Sequence, residues 1–392
     1  MRLLIAFDKF KESMTARQAC EAAAQVLTEI GVPESEIEVA PLTDGGEGFC
    51  EILTLLAEGC LHEVEVTGPL GEQRAAPWGE VQLEALPQAA REQLELPATG
   101  TLGIIEMARA SGLELVPAYK RSPWETTTRG TGELLQAAVQ AGVDAVLLGI
   151  GGSATNDCGL GALEALGLVQ TDKSGKVLSP SRPGDWPRVV AFAGQLPVDL
   201  PALRIACDVN NPLLGSNGAT AIYGPQKGLK SDDYKRLEAL MESQARRLCA
   251  FCERDTALME RPGAGAAGGV GFGLMAGCGA QLVPGFPLVS AWLDLEAKVA
   301  RADVVLTGEG RFDKSSLQGK GPGSVIEAAS QAGKPVSVFA GKLESDAAES
   351  LTGFGQGITP EGMPLKEAFR RAPELLAAAV DEWARTSGGL VR

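Results

Sequence analysis

The sequence contains a single histidine, His62, among 392 residues. Nucleophilic triads built on histidine and metal centres rich in histidine both depend on this residue type, so both classes of site are excluded. Acid, base and metal chemistry must therefore come from carboxylates, lysine and arginine. His62 itself lies in the strand-like segment LHEVEV and is interpreted as structural.

Long hydrophobic runs are also missing. No stretch of about 18 apolar residues, the length that a membrane helix needs, occurs in the chain. The first apolar run, Leu3 to Phe7, is too short for the core of a signal peptide. The eight cysteines are scattered, and the single C-x-x-C, Cys249 to Cys252, lies in a helical pattern without a second pair nearby. Reduced, buried thiols in a cytoplasmic protein are the favoured interpretation.

Positive charge is scarce relative to negative charge. Lysine and arginine number 35 against 50 aspartate and glutamate residues, which gives a formal net charge of −15. Such a chain repels phosphate backbones and anionic lipids, so we expect neither a nucleic acid nor a membrane as partner. A small-molecule anion would need cations or a metal concentrated at its site. The sequence leaves open whether the chain is a monomer or a homodimer.

The order of hydrophobic runs predicts parallel sheets. A strand at 2–7, a helix from about Thr15 to Ile30 and a strand at 37–42 form one β-α-β unit. The last third of the chain repeats this order, with strands at 303–308 and 335–341. Helical patterns follow each of these strands.

The middle of the chain has a different pattern. Residues 64–81 predict a hairpin that turns at 69–71, and further strands are expected at 145–150 and 203–209. We therefore predict an α/β protein of two domains. One is a Rossmann-like or flavodoxin-like parallel-sheet domain formed by both chain ends, residues 1–68 and 288–392. The other is a second α/β domain inserted at 69–287.

Glycine-rich loops are the most informative feature. They are TDGGEG (43–48), GIGGSATNDCGLG (149–161), PGAGAAGGVGFG (262–273), TGEGRFD (307–313) and KGPG (320–323). Three of them follow or begin in predicted strands, where open α/β sheets bind ligands. Backbone amides and helix N-termini at such loops bind phosphate or carboxylate groups. We interpret these loops as anion-binding elements rather than as tight turns alone.

Charged residues within and beside these loops predict a divalent cation and an anion. The acidic residues are Asp44, Glu47, Asp157, Asp208, Glu309 and Asp313. Mg²⁺ is typically held by one or two carboxylates together with substrate phosphates. The structural alternative, capping of a helix N-terminus, applies most to Asp44 and Asp157. The cations that are candidates to clamp an anion are Lys9, Lys11, Arg129, Lys227, Arg311 and Lys320.

The glycine spacing also resembles a dinucleotide-binding turn. Gly263 to Gly268 fits G-x-G-x-x-G, but a charged, proline-ended segment precedes it, and the next acidic residue downstream, Asp294, lies too far away. GIGGSA (149–154) follows a strand but lacks the acidic partner, and no Walker motif is present. A nucleotide site would be an unorthodox one. PGAGAAGGVGFG is instead predicted to pack its backbone closely against a ligand or another segment.

Taken together, the motifs resemble bacterial glycerate kinases of the type I family. The segments that carry the resemblance run in the same order over almost the full length: DKFKES, TDGGEG, EMARASGLELVP, TTTRGTGELL, GIGGSATNDCG, ACDVNNPLLG, GPQKG, PGAGAAGG and TGEGRFD. The resemblance implies ATP-dependent phosphorylation of D-glycerate with Mg²⁺, in a cleft between two α/β domains. It favours the 2-hydroxyl and hence 2-phosphoglycerate, with 3-phosphoglycerate as the alternative.

The chain departs from the family pattern in two places. Lys9 stands where the family commonly has serine, and residues 80–100 look longer and more irregular than the family's hairpin. We expect the extra cation to alter anion affinity and residues 80–100 to form a local flap or a partner contact.

These observations predict a set of site residues. Lys11 and Arg311 are expected to grip the glycerate carboxylate or the transferring phosphoryl group, and Asp44 or Asp313 to accept the hydroxyl proton. Mg²⁺ is expected to be held by a subset of Asp157, Asp208 and Glu309. The further residues predicted to bind substrate or ATP are Asp8, Ser13, Gly45, Gly46, Glu47, Arg129, Gly151, Gly152, Ser153, Thr155, Asn156, Gly265, Gly268, Gly308 and Lys320.

Two other functions compete with this prediction. A nicotinamide-dependent oxidoreductase acting on a small hydroxy acid would use the glycine turns. A non-catalytic sensor of a small acid would use the same fold without turnover. The clustered carboxylates disfavour the sensor, because negative charge in its site would repel its ligand.

Overall fold

A computed structural model describes residues 1–317, 321–351 and 353–386. The chain forms two compact units, Met1–Asp44 with Val289–Arg392 and Gly45–Leu288. Within the described residues, no helix combines the length and the apolar character that crossing a membrane requires.

The described residues form thirteen strands and fifteen α-helices. The strands are β1 (Leu3–Phe7), β2 (Ile37–Val39), β3 (Cys60–Thr67), β4 (Gln73–Gln82), β5 (Thr101–Glu106), β6 (Ala145–Gly149), β7 (Leu168–Thr171), β8 (Ala191–Gly194), β9 (Ala202–Ala206), β10 (Gln281–Val283), β11 (Val304–Phe312), β12 (Val336–Leu343) and β13 (Phe354–Gly357), counted over the described ranges. The helices over the same ranges are α1 (Ala16–Glu29), α2 (Phe49–Leu56), α3 (Gln88–Leu94), α4 (Ala108–Ser111), α5 (Arg129–Ala141), α6 (Leu160–Ala165), α7 (Ala219–Tyr223), α8 (Tyr234–Phe251), α9 (Ala266–Cys278), α10 (Gly285–Trp292), α11 (Leu295–Arg301), α12 (Pro322–Gln331), α13 (Ser345–Ala348), α14 (Leu365–Arg370) and α15 (Ala372–Thr386).

The first unit is built on a five-stranded sheet in the order β2-β1-β11-β12-β13. Every neighbouring pair in it is parallel. Counted within the unit, this order is 2-1-3-4-5, the flavodoxin-like doubly wound arrangement. The predicted α/β fold with a parallel sheet made from both chain ends is thereby confirmed. In such sheets ligands bind beyond the carboxyl ends of the strands where the order reverses, which here lies between β1 and β11.

Helices from both chain ends cover this sheet. Thr15 accepts a hydrogen bond from the Gln18 N–H, and the Gln18 side chain accepts one from the Thr15 N–H, so a capping box begins α1. The apolar face of α1 packs against α15 and β1. Leu27 and Trp383 are buried there, and burying side chains of this size contributes roughly 1.5–3 kcal/mol each. The two ends of the chain are thus held together by one hydrophobic core.

The second unit contains a six-stranded sheet in the order β10-β9-β6-β5-β4-β3. The first four strands are mutually parallel, and β4 and β3 continue the sheet antiparallel. All five residues of β6 are buried, as expected for a central parallel strand covered on both faces. A separate antiparallel pair, β7 and β8, lies outside this sheet.

Residues 45–68, which the sequence assigned to the first domain, belong to the second unit. The reason is the hairpin that the sequence also predicted: β3 pairs with β4 from Thr67 opposite Gln73 to Cys60 opposite Glu80. A boundary at residue 68 would separate two hydrogen-bonded strands. Residues 80–100 also differ from expectation, because Leu83, Leu86 and Leu94 are buried. This stretch is packed into the unit and does not form a flap.

Candidate active site

Asp8 directly follows β1, and Glu309 lies in the second half of the neighbouring strand β11 in the first unit. Phe7 of β1 is in register with Gly308 of β11, and the Asp8 N–H donates to the Gly308 carbonyl at 2.9 Å. A Cβ atom at Gly308 would overlap the Phe339 carbonyl oxygen of β12, so only glycine fits there. The two carboxylates therefore flank the point where the strand order reverses.

The turn after β1 packs against this point. A Cβ at Gly310 would come within 3.1 Å of both the Lys11 nitrogen and Phe10 Cα, which brings the Lys9–Lys11 turn onto β11. The Ser13 hydroxyl donates to the Phe10 carbonyl at 2.8 Å and stabilises the turn, so its local role is structural. Its predicted contact with substrate stays a prediction.

Burial perturbs both carboxyl groups. It raises the pKa of Asp8 to about 6, against the lowering effect of Lys9 and with a further rise from Asp44. Burial likewise raises the pKa of Glu309 to about 7, although a hydrogen bond from Ser316 lowers it and the charge of Asp8 raises it. Both groups hold protons more readily than free carboxyls do, and a cation placed beside them would favour their ionised forms.

The other predicted residues of the first unit surround this pair. Lys9 Nζ lies 3.8 Å from Asp44 Oδ1. The charge of Lys11 lowers the pKa of both Asp8 and Glu309. The structure thus gathers five charged groups of the turn, the strand ends and the TDGGEG segment around one point.

Arg311 and Asp313 lie further along the same strand end. Arg311 pairs with Glu344 at 2.9 Å, and its side chain is 68% exposed. The Ser315 hydroxyl and N–H donate to Asp313 at 2.6 and 2.8 Å and lower its pKa. Arg311 is therefore an accessible cation, as are Lys314 and Lys342 near it, and Asp313 closes a turn. Lys320 lies outside the described residues.

The resemblance implies a bound Mg²⁺ ion, and the side chains described above include groups that could hold it. Across the described parts of the chain, no group of three or more histidine, cysteine or carboxylate side chains is placed to hold a metal ion. Mg²⁺ seldom uses such a cage and is usually bound through one or two carboxylates plus substrate phosphates. Asp8 and Glu309, two adjacent carboxyls whose charged forms burial disfavours, fit that kind of site.

In the second unit, two glycine-rich loops meet backbone to backbone. The Gly151 N–H donates to the Gly45 carbonyl at 2.9 Å. A Cβ at Gly151 would come within 2.6 Å of Gly46 Cα, and Gly152 has a left-handed φ of 71°. The close approach explains the glycines of TDGGEG and GIGGSATND together. Glu47 follows in the turn that leads into α2 and is partly exposed.

Asp157 anchors the GIGGSATND loop from inside. It is fully buried and accepts four hydrogen bonds, from the Thr128 N–H and hydroxyl at 2.7 and 2.8 Å and from the N–H groups of Gly159 and Gly161 at 3.2 and 3.3 Å. Desolvation raises the pKa of its carboxyl, and these hydrogen bonds lower it. Asp157 thus has a structural role, since it accepts hydrogen bonds from the loop and from the start of α6. Its role as a metal ligand stays a prediction.

Lys227 reaches the same loop from the segment GPQKG. Its ammonium donates to Ser153 Oγ at 2.8 Å and to the Thr155 carbonyl at 2.5 Å. Desolvation lowers its pKa to about 7, while the charge of Asp157 raises it. Two buried atoms beside these contacts, Thr155 Oγ1 and Asn156 Oδ1, have no hydrogen-bond partner. The loop therefore carries polar groups that its own fold does not satisfy.

The segment PGAGAAGGVGFG packs against this loop. Ala267, Gly268 and Gly269 have left-handed φ values of 54°, 74° and 93°, which bend the first turn of α9. A Cβ at Gly268 would come within 2.6 Å of Asn156 Cα, and one at Gly265 would overlap the Pro212 carbonyl oxygen. The predicted close packing against another segment is present, and the partner is the GIGGSATND loop.

Two predicted residues of the second unit are held elsewhere. Asp208 accepts hydrogen bonds from the N–H groups of Gly285 and Phe286 at the start of α10, at 2.9 and 3.0 Å. Arg129 donates to Glu133 at 2.8 Å and lies 3.6 Å from Glu164. These contacts are structural, and the predicted metal and substrate roles of the two residues stay predictions.

Sequence reasoning did not foresee two features of the site. It treated Lys227 as one of several cations beside glycine turns, whereas its side chain is buried inside the loop. It also gave Asp8 and Glu309 different roles and did not predict that they are neighbours. The two residues lie about 300 positions apart in the chain and meet only through the β1–β11 register. The recurrence of charged residues directly after apolar strands was the one available signal.

Comparison with known proteins gives one consistent result. The model of the glycerate kinase family matches residues 3–387. The chain is 38% identical to the glycerate 2-kinase of Escherichia coli K12, over 97% of this chain and 96% of that protein. It is 41% identical to a glycerate kinase of Haemophilus influenzae Rd, over 88% and 87% of the two chains. The crystal structure of a Salmonella typhimurium LT2 protein assigned as glycerate kinase 2 superposes with a TM-score of 0.75 at 37% identity, over 99% and 98% of the two chains.

Proposed function

The chain belongs to the glycerate kinase family and is a phosphotransferase, and from this premise we propose that it phosphorylates D-glycerate with ATP and Mg²⁺. We propose the 2-hydroxyl as acceptor, so that the products are 2-phosphoglycerate and ADP. The name of the E. coli relative, glycerate 2-kinase, supports this position. The alternative is phosphorylation of the 3-hydroxyl.

One observation carries the proposal: the two carboxyls of Asp8 and Glu309 sit with Lys9 and Lys11 where the strand order of the first unit reverses. Phosphoryl transfer depends on positioning and charge neutralisation more than on covalent chemistry. In the reaction, a glycerate oxygen forms a bond to the γ-phosphorus, the bond from that phosphorus to the β,γ-bridging oxygen breaks, and the hydroxyl proton passes to a base. The site has carboxylates, which can accept the proton, and cations, which can neutralise the phosphate charge.

Asp8 and Glu309 are the residues that we propose to hold Mg²⁺ together with substrate phosphates. When bound, the ion would neutralise phosphate charge. Of the three ligands predicted from sequence, Asp157 and Asp208 already accept hydrogen bonds from backbone N–H groups. Glu309 is the one whose carboxyl lies beside another buried carboxyl.

Asp44 is the better candidate for the base that accepts the hydroxyl proton. The hydrogen bonds from Ser315 lower the pKa of Asp313 and so weaken it as a proton acceptor. Asp44 Oδ1 lies 3.8 Å from the Lys9 ammonium, and the charge of Asp44 raises the pKa of Asp8, which places Asp44 close to the carboxyl pair. Lys11 and the exposed Arg311 are proposed to bind the carboxylate of glycerate or the transferring phosphoryl group.

The loops of the second unit are proposed to bind the anionic part of a substrate. The hydrogen bond from the Gly151 N–H to the Gly45 carbonyl fixes this segment, so that the N–H groups of Gly152 and Ser153 can face an anion without reorganisation. Thr155 Oγ1 and Asn156 Oδ1 supply further polar groups. The location of the reaction between two domains stays a prediction.

A coupled assay of ADP release tests the activity directly. We expect turnover with D-glycerate and ATP and little with other small hydroxy acids, and NMR of the product would show which carbon carries the phosphate. Titration with NADH against an ATP analogue separates the kinase from an oxidoreductase. Binding of D-glycerate without ADP release would support the sensor instead.

Asp44→Asn tests the base, with Asp381→Asn as the matched control. Both aspartates pair with a cation in the same unit, Asp44 with Lys9 and Asp381 with Arg385. We expect Asp44→Asn to lower kcat by about 10²–10⁴-fold, the typical contribution of a general base. Asp381→Asn should leave kcat unchanged. Near wild-type turnover in both Asp44→Asn and Asp313→Asn would refute the assignment of either residue as base.

A further inference from the structure

Lys227 occupies an unusual position for a lysine. Only 1% of it is exposed, and its ammonium lies inside the second unit. The segment that carries it is tightly fixed: the Lys227 N–H donates to the Gly224 carbonyl, and Gly228 has a φ of 90° at a place where an added Cβ would overlap the Arg121 carbonyl oxygen. The side chain therefore has little freedom to leave its place.

The burial of this lysine is unfavourable in itself. Removing an ammonium group from water is strongly unfavourable, and its hydrogen bonds must compensate for that loss. The ammonium donates to Ser153 Oγ and to the Thr155 carbonyl, and the Tyr223 ring centroid lies 5.9 Å away. An apolar side chain would fill the same space without the desolvation penalty, so packing alone does not explain a lysine here.

Lys227 is one of several anchors along this loop. The Ala154 N–H donates to the Ser111 carbonyl, and the Asn156 amide nitrogen donates to Thr220 Oγ1. Before Ser153 in the chain, the Gly151 N–H donates to the Gly45 carbonyl. After Thr155, the Asp157 carboxylate and the Cys158 N–H are both hydrogen-bonded. Between these anchors lie Ser153 and Thr155, which Lys227 holds, and the unpartnered atoms Thr155 Oγ1 and Asn156 Oδ1. Lys227 thus holds the two residues on either side of Ala154, in the segment that carries the unpartnered atoms Thr155 Oγ1 and Asn156 Oδ1.

We propose that Lys227 is a positioning residue for substrate binding: it holds Ser153 and Thr155 so that the loop at 150–159 presents its polar groups to the anionic part of one substrate. Lys227 does not touch the substrate and acts through the two residues that it binds. This inference rests on the proposed kinase activity of the chain.

The test is steady-state kinetics of Lys227→Met, with Arg204→Met as the matched control. Arg204 is also a buried cation of the second unit, but it donates to the carbonyls of Leu94 and Glu95, at 2.7 and 3.5 Å, and not to the loop. We expect Lys227→Met to raise the KM of either ATP or D-glycerate at least tenfold, with less than threefold change in the other. A displacement of about 1 Å at a positioning element has effects of up to about a hundredfold.

A merely structural role gives a different result. Lys227→Met would then lower kcat in proportion to the folded fraction at unchanged KM for both substrates, as we expect for Arg204→Met. That outcome would overturn the proposal. Equal KM changes in both variants would overturn it as well.

Ser153→Ala keeps the test decisive if Lys227→Met does not fold, because it removes one acceptor and leaves the lysine in place. Ser153→Ala should raise the KM of the same single substrate, and unchanged KM values for both substrates would overturn the proposal. In the variant that combines Lys227→Met with Ser153→Ala, the two increases in KM should not multiply, because both act through one contact. Fully multiplicative increases would show that Lys227 does not act through Ser153. Wild-type protein that releases no ADP with D-glycerate would refute the proposed function and this inference with it; normal wild-type turnover with unaltered KM values in the variants would refute the inference alone.

Discussion

Replacing Gly268 by alanine tests whether the segment 262–273 shapes the GIGGSATND loop. Gly268 has a φ of 74°, and an added Cβ would overlap the Thr155 carbonyl oxygen and come within 2.6 Å of Asn156 Cα. Gly142, at the end of α5, has a similar φ of 86° and nothing within 4 Å of an added Cβ. Gly142→Ala therefore introduces the same left-handed strain without the collision, which makes it the matched control.

The expected losses of stability follow from two contributions, the left-handed strain and the collision of the added Cβ. A non-glycine residue in the left-handed region costs about 1–2 kcal/mol, and we expect that loss of stability for Gly142→Ala. Overpacking a close contact adds about 1–3 kcal/mol. Gly268→Ala should therefore lower the free energy of unfolding by about 2–5 kcal/mol. It should also lower kcat/KM, because the only relief of the overlap is a shift of Thr155 and Asn156 or of the α9 start.

Urea unfolding followed by circular dichroism measures the first effect, and the ADP-release assay in the absence of urea measures the second. Equal unfolding midpoints for the two variants would refute the packing argument. A destabilised Gly268→Ala protein with wild-type kcat/KM would show that the contact supports the fold and has no influence on the loop's function.

Three further predictions concern the carboxylates and the metal. Burial raises the pKa of Asp8 from its usual 3.8 to about 6, so the loss of stability from ionising Asp8 is absent below pH 3.8, grows between the two values and is complete above pH 6; Asp8→Asn should therefore raise the melting temperature in metal-free buffer at pH 8 and much less at pH 3, and a gain equal at both pH values would contradict this. Asp157→Asn should reduce stability by about 1–3 kcal/mol, because in either orientation the amide nitrogen would face a backbone N–H donor, that of Gly159 or those of Thr128 and Gly161; an unchanged melting temperature with altered Mg²⁺ dependence of turnover would instead indicate a metal ligand. Chelation of divalent cations should abolish ADP release and added Mg²⁺ should restore it, whereas full activity in EDTA would refute the metal requirement.

Much of the fold follows from local patterns in the sequence. The run LLIAF predicts a buried strand, and the observed β1 covers Leu3–Phe7. The helix predicted from about Thr15 to Ile30 is α1, with Thr15 as its cap. Local signals failed for strands such as Thr101–Glu106 and Phe354–Gly357, which are short or contain glycine and are held by their neighbours in the sheet. The domain boundary was misplaced because composition does not change where the chain passes from one sheet to the other.

The site was less predictable than the fold. Glycine clusters and acidic residues after strands marked the correct loops, but not which carboxylates serve as loop anchors. Asp157 and Glu309 both lie in glycine-rich segments that begin in an apolar strand, yet one accepts four hydrogen bonds inside a loop and the other lies beside a second carboxyl. The burial of Lys227 depends on contacts with residues about 70 positions away and leaves no local pattern. Tertiary contacts decide these roles.

The placement of β1 has a consequence for biosynthesis. Leu3 pairs with Val304, so one edge of this wholly buried strand stays unpaired until about 300 further residues have been made. At 5–20 residues per second, that interval lasts roughly 15–60 s. The contiguous unit Gly45–Leu288 is complete before the strand's partner appears. The apolar N-terminal segment must therefore be shielded during synthesis, and the sheet that carries Asp8 and Glu309 is the last part of the protein to assemble.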